Sequence, residues 1–131
     1  MKGLMFSNSL FLIPTIYGFR KQQYMLSTIN LITTIASLHY WREPLPGAIK
    51  NLDLAISKLA GIAYFWYGYN HLDNIHIRLA GYVNGACMLL LYHASCNTYA
   101  RCLAHWKYYH MAFHVSVAIG QMLILSNELT V

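Results

Sequence analysis

The sequence predicts an all-α protein, an integral membrane bundle of about five transmembrane helices in a single domain over residues 1–131. Three observations lead there. Of 131 residues, 57% are hydrophobic and only 10% are charged, too few to cover the surface of a soluble core of this size. The apolar residues fall into five runs of similar length. Short polar breaks separate the runs and leave no room for a soluble module.

The runs cover residues 4–19, 25–41, 54–69, 79–95 and 108–126, each 16 to 19 residues long. Those lengths sit at the short end of what crosses a hydrocarbon core of about 30 Å, which implies a thin bilayer or little tilt. The first run follows Lys2 and superficially resembles a signal peptide. No small-x-small cleavage site follows it, and the reading adopted is a retained first helix that bends at Pro14. Arg20-Lys21-Gln22-Gln23 is a polar turn, and Arg42-Glu43-Pro44-Leu45-Pro46-Gly47 carries two prolines and a glycine that stop a helix. Asn70 to Arg78 is the third break. The fourth, Cys96 to Lys107, is interrupted by Leu103, Ala104 and Trp106.

Five spans put the termini on opposite sides. Lys2, Arg42, Lys50, Arg101 and Lys107 then share one face, against Arg20, Lys21 and Arg78 on the other, a bias that leans towards a cytoplasmic N-terminus. Trp41, Trp106, Tyr108 and Tyr109 gather at the first face, as an interfacial aromatic belt does. The net charge of +5 is dispersed over the ends of the runs, where it meets lipid headgroups. No basic block is interleaved with aromatics, so no nucleic-acid partner is expected. Cys87, Cys96 and Cys102 form no disulfide framework, although one Cys96–Cys102 bridge stays open.

Seven histidines are many for such a chain, and ionisable groups at membrane depth are costly enough to be functional candidates. His39 ends the second run, Asp53 begins the third, and His110 and His114 begin the fifth. In a five-span bundle these ends share one face. His110 and His114, four residues apart, project from one side of a helix and can share a metal ion. Three neutral imidazoles would leave a fourth tetrahedral position of Zn²⁺ for a water, and Asp53 could take its proton. The plainer alternative is a set of polar helix ends in the headgroup region.

Ser7-Asn8 with Pro14, then Ser37-Leu38-His39, Leu52-Asp53, and His110-Met-Ala-Phe-His114 with Gly120 resemble the marker residues of the CREST membrane hydrolases. That superfamily includes the alkaline ceramidases, the progestin and adipoQ receptors and the post-GPI-attachment lipid remodelling proteins. The resemblance covers about half the chain and implies a shortened form that lacks two of seven helices. It implies Zn²⁺ on His39, His110 and His114, with Asp53 as a catalytic residue. A serine four residues before the first histidine is absent, because position 35 is Ile35. Ser37 lies about 200° round the helix from His39, so Ser7 is the candidate to substitute.

Other clusters point less far. His71, Asp73 and His76 read as a solvated loop at the opposite face. His93, Cys96, Cys102 and His105 have zinc-compatible donors at an uncommon spacing. Lys58 is placed to snorkel or to neutralise Asp53. No Gly-rich phosphate loop or G-x-S-x-G elbow is present. The expected function is a zinc-dependent intramembrane hydrolase cleaving a lipid amide or ester. Its rival is a non-catalytic accessory subunit that fills space among membrane protein partners.

Overall fold

A computed structural model describes residues 2–126, and among them the chain is helical with no strand. Six helices follow in order: α1 (Lys2–Ser9), α2 (Leu12–Arg20), α3 (Tyr24–Arg42), α4 (Ala48–His71), α5 (Ile75–Ala100) and α6 (Trp106–Leu125). By length and composition one helix among the described residues, α5, is long and apolar enough to cross a membrane.

The first apolar run is not one helix. It breaks at Leu10 and Phe11, where the chain makes i→i+3 bonds: Leu10 N–H to Ser7 O (3.3 Å), Phe11 N–H to Asn8 O (3.1 Å) and Ile13 N–H to Leu10 O (3.0 Å). Pro14 is the reason. It has no N–H for the Leu10 carbonyl, and it is tolerated in the first turn of α2, where that donor would lack an intrahelical partner anyway. The buried face nevertheless keeps its helical phase across the break, through Leu4, Ser7 and Asn8 in α1, then Phe11, then Pro14, Thr15 and Gly18 in α2.

The ends of α4 and α5 lie well outside their apolar runs. Helix α4 starts directly after Gly47, whose φ of 142° is open only to glycine. Helix α5 starts at its cap, Asn74, whose side chain accepts from His76 N (2.9 Å) and Ile77 N (3.4 Å). Helices α2 and α5 both close with a left-handed residue, Gln22 (φ 61°) and Cys102 (φ 56°). Around each, paired bonds (Gln22 N to Phe19 O and Gln23 N to Gly18 O; Cys102 N to Tyr99 O and Leu103 N to Thr98 O) satisfy the last carbonyls.

Side-chain contacts fix the directions. Gly3 faces Met111, Ser7 meets His114 and Gly18 faces Leu125, so α1 and α2 run alongside α6. Thr15 meets Asn30, and Ser37 and Leu26 meet Asp53 and Tyr64, so α3 is antiparallel to α2 and to α4. Asn84 meets Ser116, Tyr92 meets Phe113 and Tyr99 meets Trp106, so α5 is antiparallel to α6. The chain therefore passes up and down, with residues 43–47 and 101–105 at the end that holds Lys2. Residues 21–23 and 72–74 lie at the other.

Burial is inverted relative to a water-soluble bundle. Fourteen polar side chains and only eight hydrophobic ones are buried among the described residues. Large apolar groups face outward, among them Phe6 at 67%, Trp66 at 68% and Leu90 at 69% exposure. The apolar core is small, with Leu26, Tyr64 and Leu125 packed by Tyr17, Tyr67 and Ile124. Elsewhere the interior is joined by hydrogen bonds. Asn30 donates to Phe11 O (2.9 Å) and Thr15 Oγ1 (2.8 Å) and accepts from Gln121 Nε2 (2.8 Å). Close approach matters at Gly120, where an added Cβ would lie 2.7 Å from Asn84 Nδ2.

Two substitutions test this account by thermal unfolding. Asn30→Ala strands the Gln121 amide and is expected to cost roughly 1–3 kcal/mol. Gln22→Gly removes the Cβ penalty of the left-handed cap and is expected to stabilise by about 0.5–1 kcal/mol. A neutral Asn30→Ala would show that the network does not join the helices.

Candidate functional site

The histidine pair on α6 forms as its spacing requires. His110 and His114 lie one turn apart with ring centroids 4.7 Å from each other, and His114 is buried. Each has its Nδ1 beside a serine hydroxyl. Ser7 Oγ of α1 lies 2.9 Å from His114 Nδ1, and Ser95 Oγ of α5 lies 3.2 Å from His110 Nδ1. Two helices remote in sequence thus each bring a hydroxyl to one of the two rings.

Ser7 also lies 3.1 Å from the Leu4 carbonyl. With one hydroxyl proton it has two states: it donates to Leu4 O and accepts from a protonated Nδ1, or it donates to an unprotonated Nδ1. The proton can shift between these acceptors by rotation about the Cβ–Oγ bond. Aromatic rings close the remaining sides. Phe11 packs edge-on to His114 at 5.4 Å, and Trp41 packs edge-on to His110 at 5.2 Å, with Trp106 and Phe113 beyond. Low-dielectric walls of this kind strengthen the polar contacts they enclose.

Asp53 is the centre of a second group. Ser37 on α3 donates to its Oδ1, and Ser57, one turn along α4, lies 3.5 Å from the same oxygen. The carboxylate is buried against two hydroxyls, whereas Lys58 is exposed. Of the two roles set out for Lys58, snorkelling outward agrees with that exposure.

His39 does not join the other two histidines. It is exposed and lines a groove of about 310 Å³ with Arg42, Glu43 and the residues from Leu45 to Ile49. The α3 side chain that reaches His110 is Trp41. The inward stripe of α3 runs through Asn30, Thr34, Ser37 and Trp41, which repeat at three to four residues, and His39 falls about 200° from Trp41 round the helix. Among the described residues no group of three or more His, Cys, Asp or Glu side chains is arranged to hold a metal ion. The donors at the α6 pair are two imidazoles and two hydroxyls, a set that fits two zinc ligands and not the expected third.

The remaining candidates face away from the interior of the bundle. Asp73 and His76 are exposed, and His71 stacks on Tyr67 at 4.3 Å with its Nδ1 3.0 Å from the Tyr67 carbonyl. His93, Cys96, Cys102 and His105 are exposed as well, and the three cysteines are free thiols, so Cys96 and Cys102 are not bridged. Ser95 and Trp41 were not foreseen as partners of His110. The spacing of the α3 stripe held the signal for Trp41, and nothing in the sequence singled out Ser95. Searches against protein families, curated proteins and solved structures find no match to this chain.

The position of Trp41 makes a testable point about metal affinity. Trp41→His puts a third imidazole on the α3 face that meets His110, and the variant is expected to bind Zn²⁺ at least tenfold more tightly than the parent chain, measured by competition with a chelating dye. The matched control, His39→Ala, is expected to leave zinc affinity within about twofold, since an exposed imidazole outside the pair adds no ligand. A large loss in the control would return His39 to the site.

Proposed function

We propose that the chain is a multi-pass membrane bundle that hydrolyses an amide or ester bond of a lipid, with Ser7 as nucleophile and His114 as its base. The observation that carries this reading is the buried Ser7–His114 pair, 2.9 Å apart, inside a bundle whose polar residues face inward and whose apolar residues face out. That inversion supports a lipid environment, because lipid tails solvate Phe, Trp and Leu side chains while the backbone and polar groups satisfy one another internally. Helix direction supports five crossings, with α1 and α2 together making the first. Short helices that bend where neighbours re-satisfy the freed carbonyl are tolerated in membranes.

The chemistry follows from the pair. His114 Nδ1 accepts the Ser7 proton as Oγ attacks the acyl carbon, so that the C–O bond forms while the carbonyl π pair moves onto oxygen. The tetrahedral species collapses, the C–N or C–O bond to the leaving group breaks, and the imidazolium hands its proton to the departing amine or alcohol. A water molecule then attacks the acyl-serine, giving its proton to His114, and release of the fatty acid returns that proton to Ser7. His110 packs edge-on against the working ring, and Ser95 lies beside His110 Nδ1 in turn. This holds the imidazole in one orientation, as a third group does in triads. No step is derived through zinc, because the donor set supplies two imidazoles without His39.

The test is turnover in nanodiscs against paired lipid amides and esters. Ser7→Ala and His114→Ala are each expected to lower kcat by about 10³-fold or more, and a fluorophosphonate is expected to label the parent chain at Ser7. Asp53→Asn is expected to keep activity within about tenfold, since its contacts are with Ser37 and Ser57. The reverse pattern, with Asp53→Asn inactive and Ser7→Ala active, would favour a metal-activated water over the serine. Absence of turnover and labelling would leave the accessory-subunit reading. Topology is separately checked in a cysteine-free background, where Gly3→Cys and Ser126→Cys are expected to react with impermeant maleimide from opposite sides of the vesicle.

A further inference from the structure

We infer that Asn8 is the oxyanion donor of this site, its side-chain Nδ2 placed to hydrogen-bond the acyl carbonyl oxygen of a bound lipid. The inference rests on the hydrolase reading above and adds to it the group that receives the charge.

Asn8 is 0% exposed, yet neither its Nδ2 nor its Oδ1 has a hydrogen-bond partner among the described residues. A carboxamide in that condition is rare in a folded interior, because both of its polar atoms lose water without replacement. The contrast with Asn30 is direct. That residue, equally buried, engages Phe11, Thr15 and Gln121. The bundle therefore satisfies one asparagine in full and leaves the other open.

The place of the open one is specific. Asn8 follows the nucleophile on α1, and Leu4, Ser7 and Asn8 make up the buried face of that helix. Ser7 and Phe11, which flank Asn8 on the same face, both touch His114. The Asn8 carbonyl accepts from Phe11 N–H (3.1 Å), so the turn that carries the carboxamide is tied to the break before Pro14. Amides one residue from a nucleophilic serine are the usual source of oxyanion donors, and a side-chain amide serves as well as a backbone one.

In the proposed step the Nδ2–H bond strengthens as Ser7 Oγ bonds the acyl carbon and negative charge gathers on the carbonyl oxygen. It weakens again when the leaving group departs and the carbonyl re-forms. No proton is transferred to or from Asn8.

Two readouts separate this inference from the reading it rests on. The first is turnover: Asn8→Leu, which removes both unsatisfied atoms and keeps the number of side-chain heavy atoms, and Asn8→Asp, which keeps shape but loses the donor, are each expected to lower kcat by about 10²–10³-fold with KM changed by less than about threefold. Asn8→Leu is also expected to unfold at a temperature no lower than the parent chain, as a residue kept only for packing would not. The second needs no turnover. In a Ser7→Ala background, infrared spectra of an N-acyl lipid and a diacylglycerol, each isotope-labelled at the acyl carbonyl, are expected to show a bound carbonyl band at lower frequency that disappears in Ser7→Ala/Asn8→Leu and in Ser7→Ala/Asn8→Asp. An identical band with and without Asn8 overturns the inference even if the chain hydrolyses lipid. A shifted band in a chain without turnover overturns the hydrolase reading and leaves Asn8 as a donor to lipid carbonyls.

Discussion

The Asn30 side chain is the constraint on which the arrangement of the other helices depends. Its amide protons reach the Phe11 carbonyl and Thr15 Oγ1, and its oxygen accepts a hydrogen bond from Gln121 Nε2. Three helices are thereby held by one residue, with each bond oriented by a planar group. Such a junction fixes the rotation of α3 as well as its position. With Asn30 turned inward, Thr34, Ser37 and Trp41 must follow on the same face, and His39 must point away. The identity of the α3 residue beside His110 is thus decided some eleven residues upstream, at three turns' distance.

The second consequence concerns the helix break. The Phe11 carbonyl accepts from Thr15 N–H, from Thr15 Oγ1 and from Asn30, at the point where Pro14 prevents regular α-helical bonding. A break of this kind would be unstable in an apolar interior without added donors. Asn30 supplies one, and the broken segment keeps its buried face continuous from Leu4 to Gly18. Ser7 consequently stays turned towards α6 although it belongs to a separate helix. Strain relief at the break and assembly of the Ser7–His114 contact are the same packing event.

The inverted interior also explains why hydrophobicity alone reads this protein incompletely. Buried Ser, Thr and Asn side chains lower the mean hydropathy of α3, and α5 is the one helix among the described residues that meets a simple length-and-composition criterion. Helix α5 packs against α6 and leaves most of its circumference exposed, so its apolar residues face outward rather than into a core. In water this distribution would expose aromatic and aliphatic surface on every helix. The proposed membrane setting turns the same surface into the solvated one and makes the internal hydrogen bonds the source of specificity.

By itself the sequence determined the helical class, the later polar breaks and the pairing of His110 with His114, because each depends on local periodicity: an i, i+4 spacing brings two side chains together on any helix. It also marked Ser7 as a residue of interest and expected Asp53 beside a water on the histidine-bound metal. The structure separates those two, setting Ser7 against His114 and Asp53 against Ser37 and Ser57. Only tertiary structure decided that Trp41 and not His39 faces His110, that Ser95 anchors His110, and that Asn8 is left without a partner. Helix rotation is the physical reason. A sequence specifies which residues share a face, but the choice of inward face follows from contacts between helices, and here Asn30, Gln121 and the break before Pro14 make that choice together.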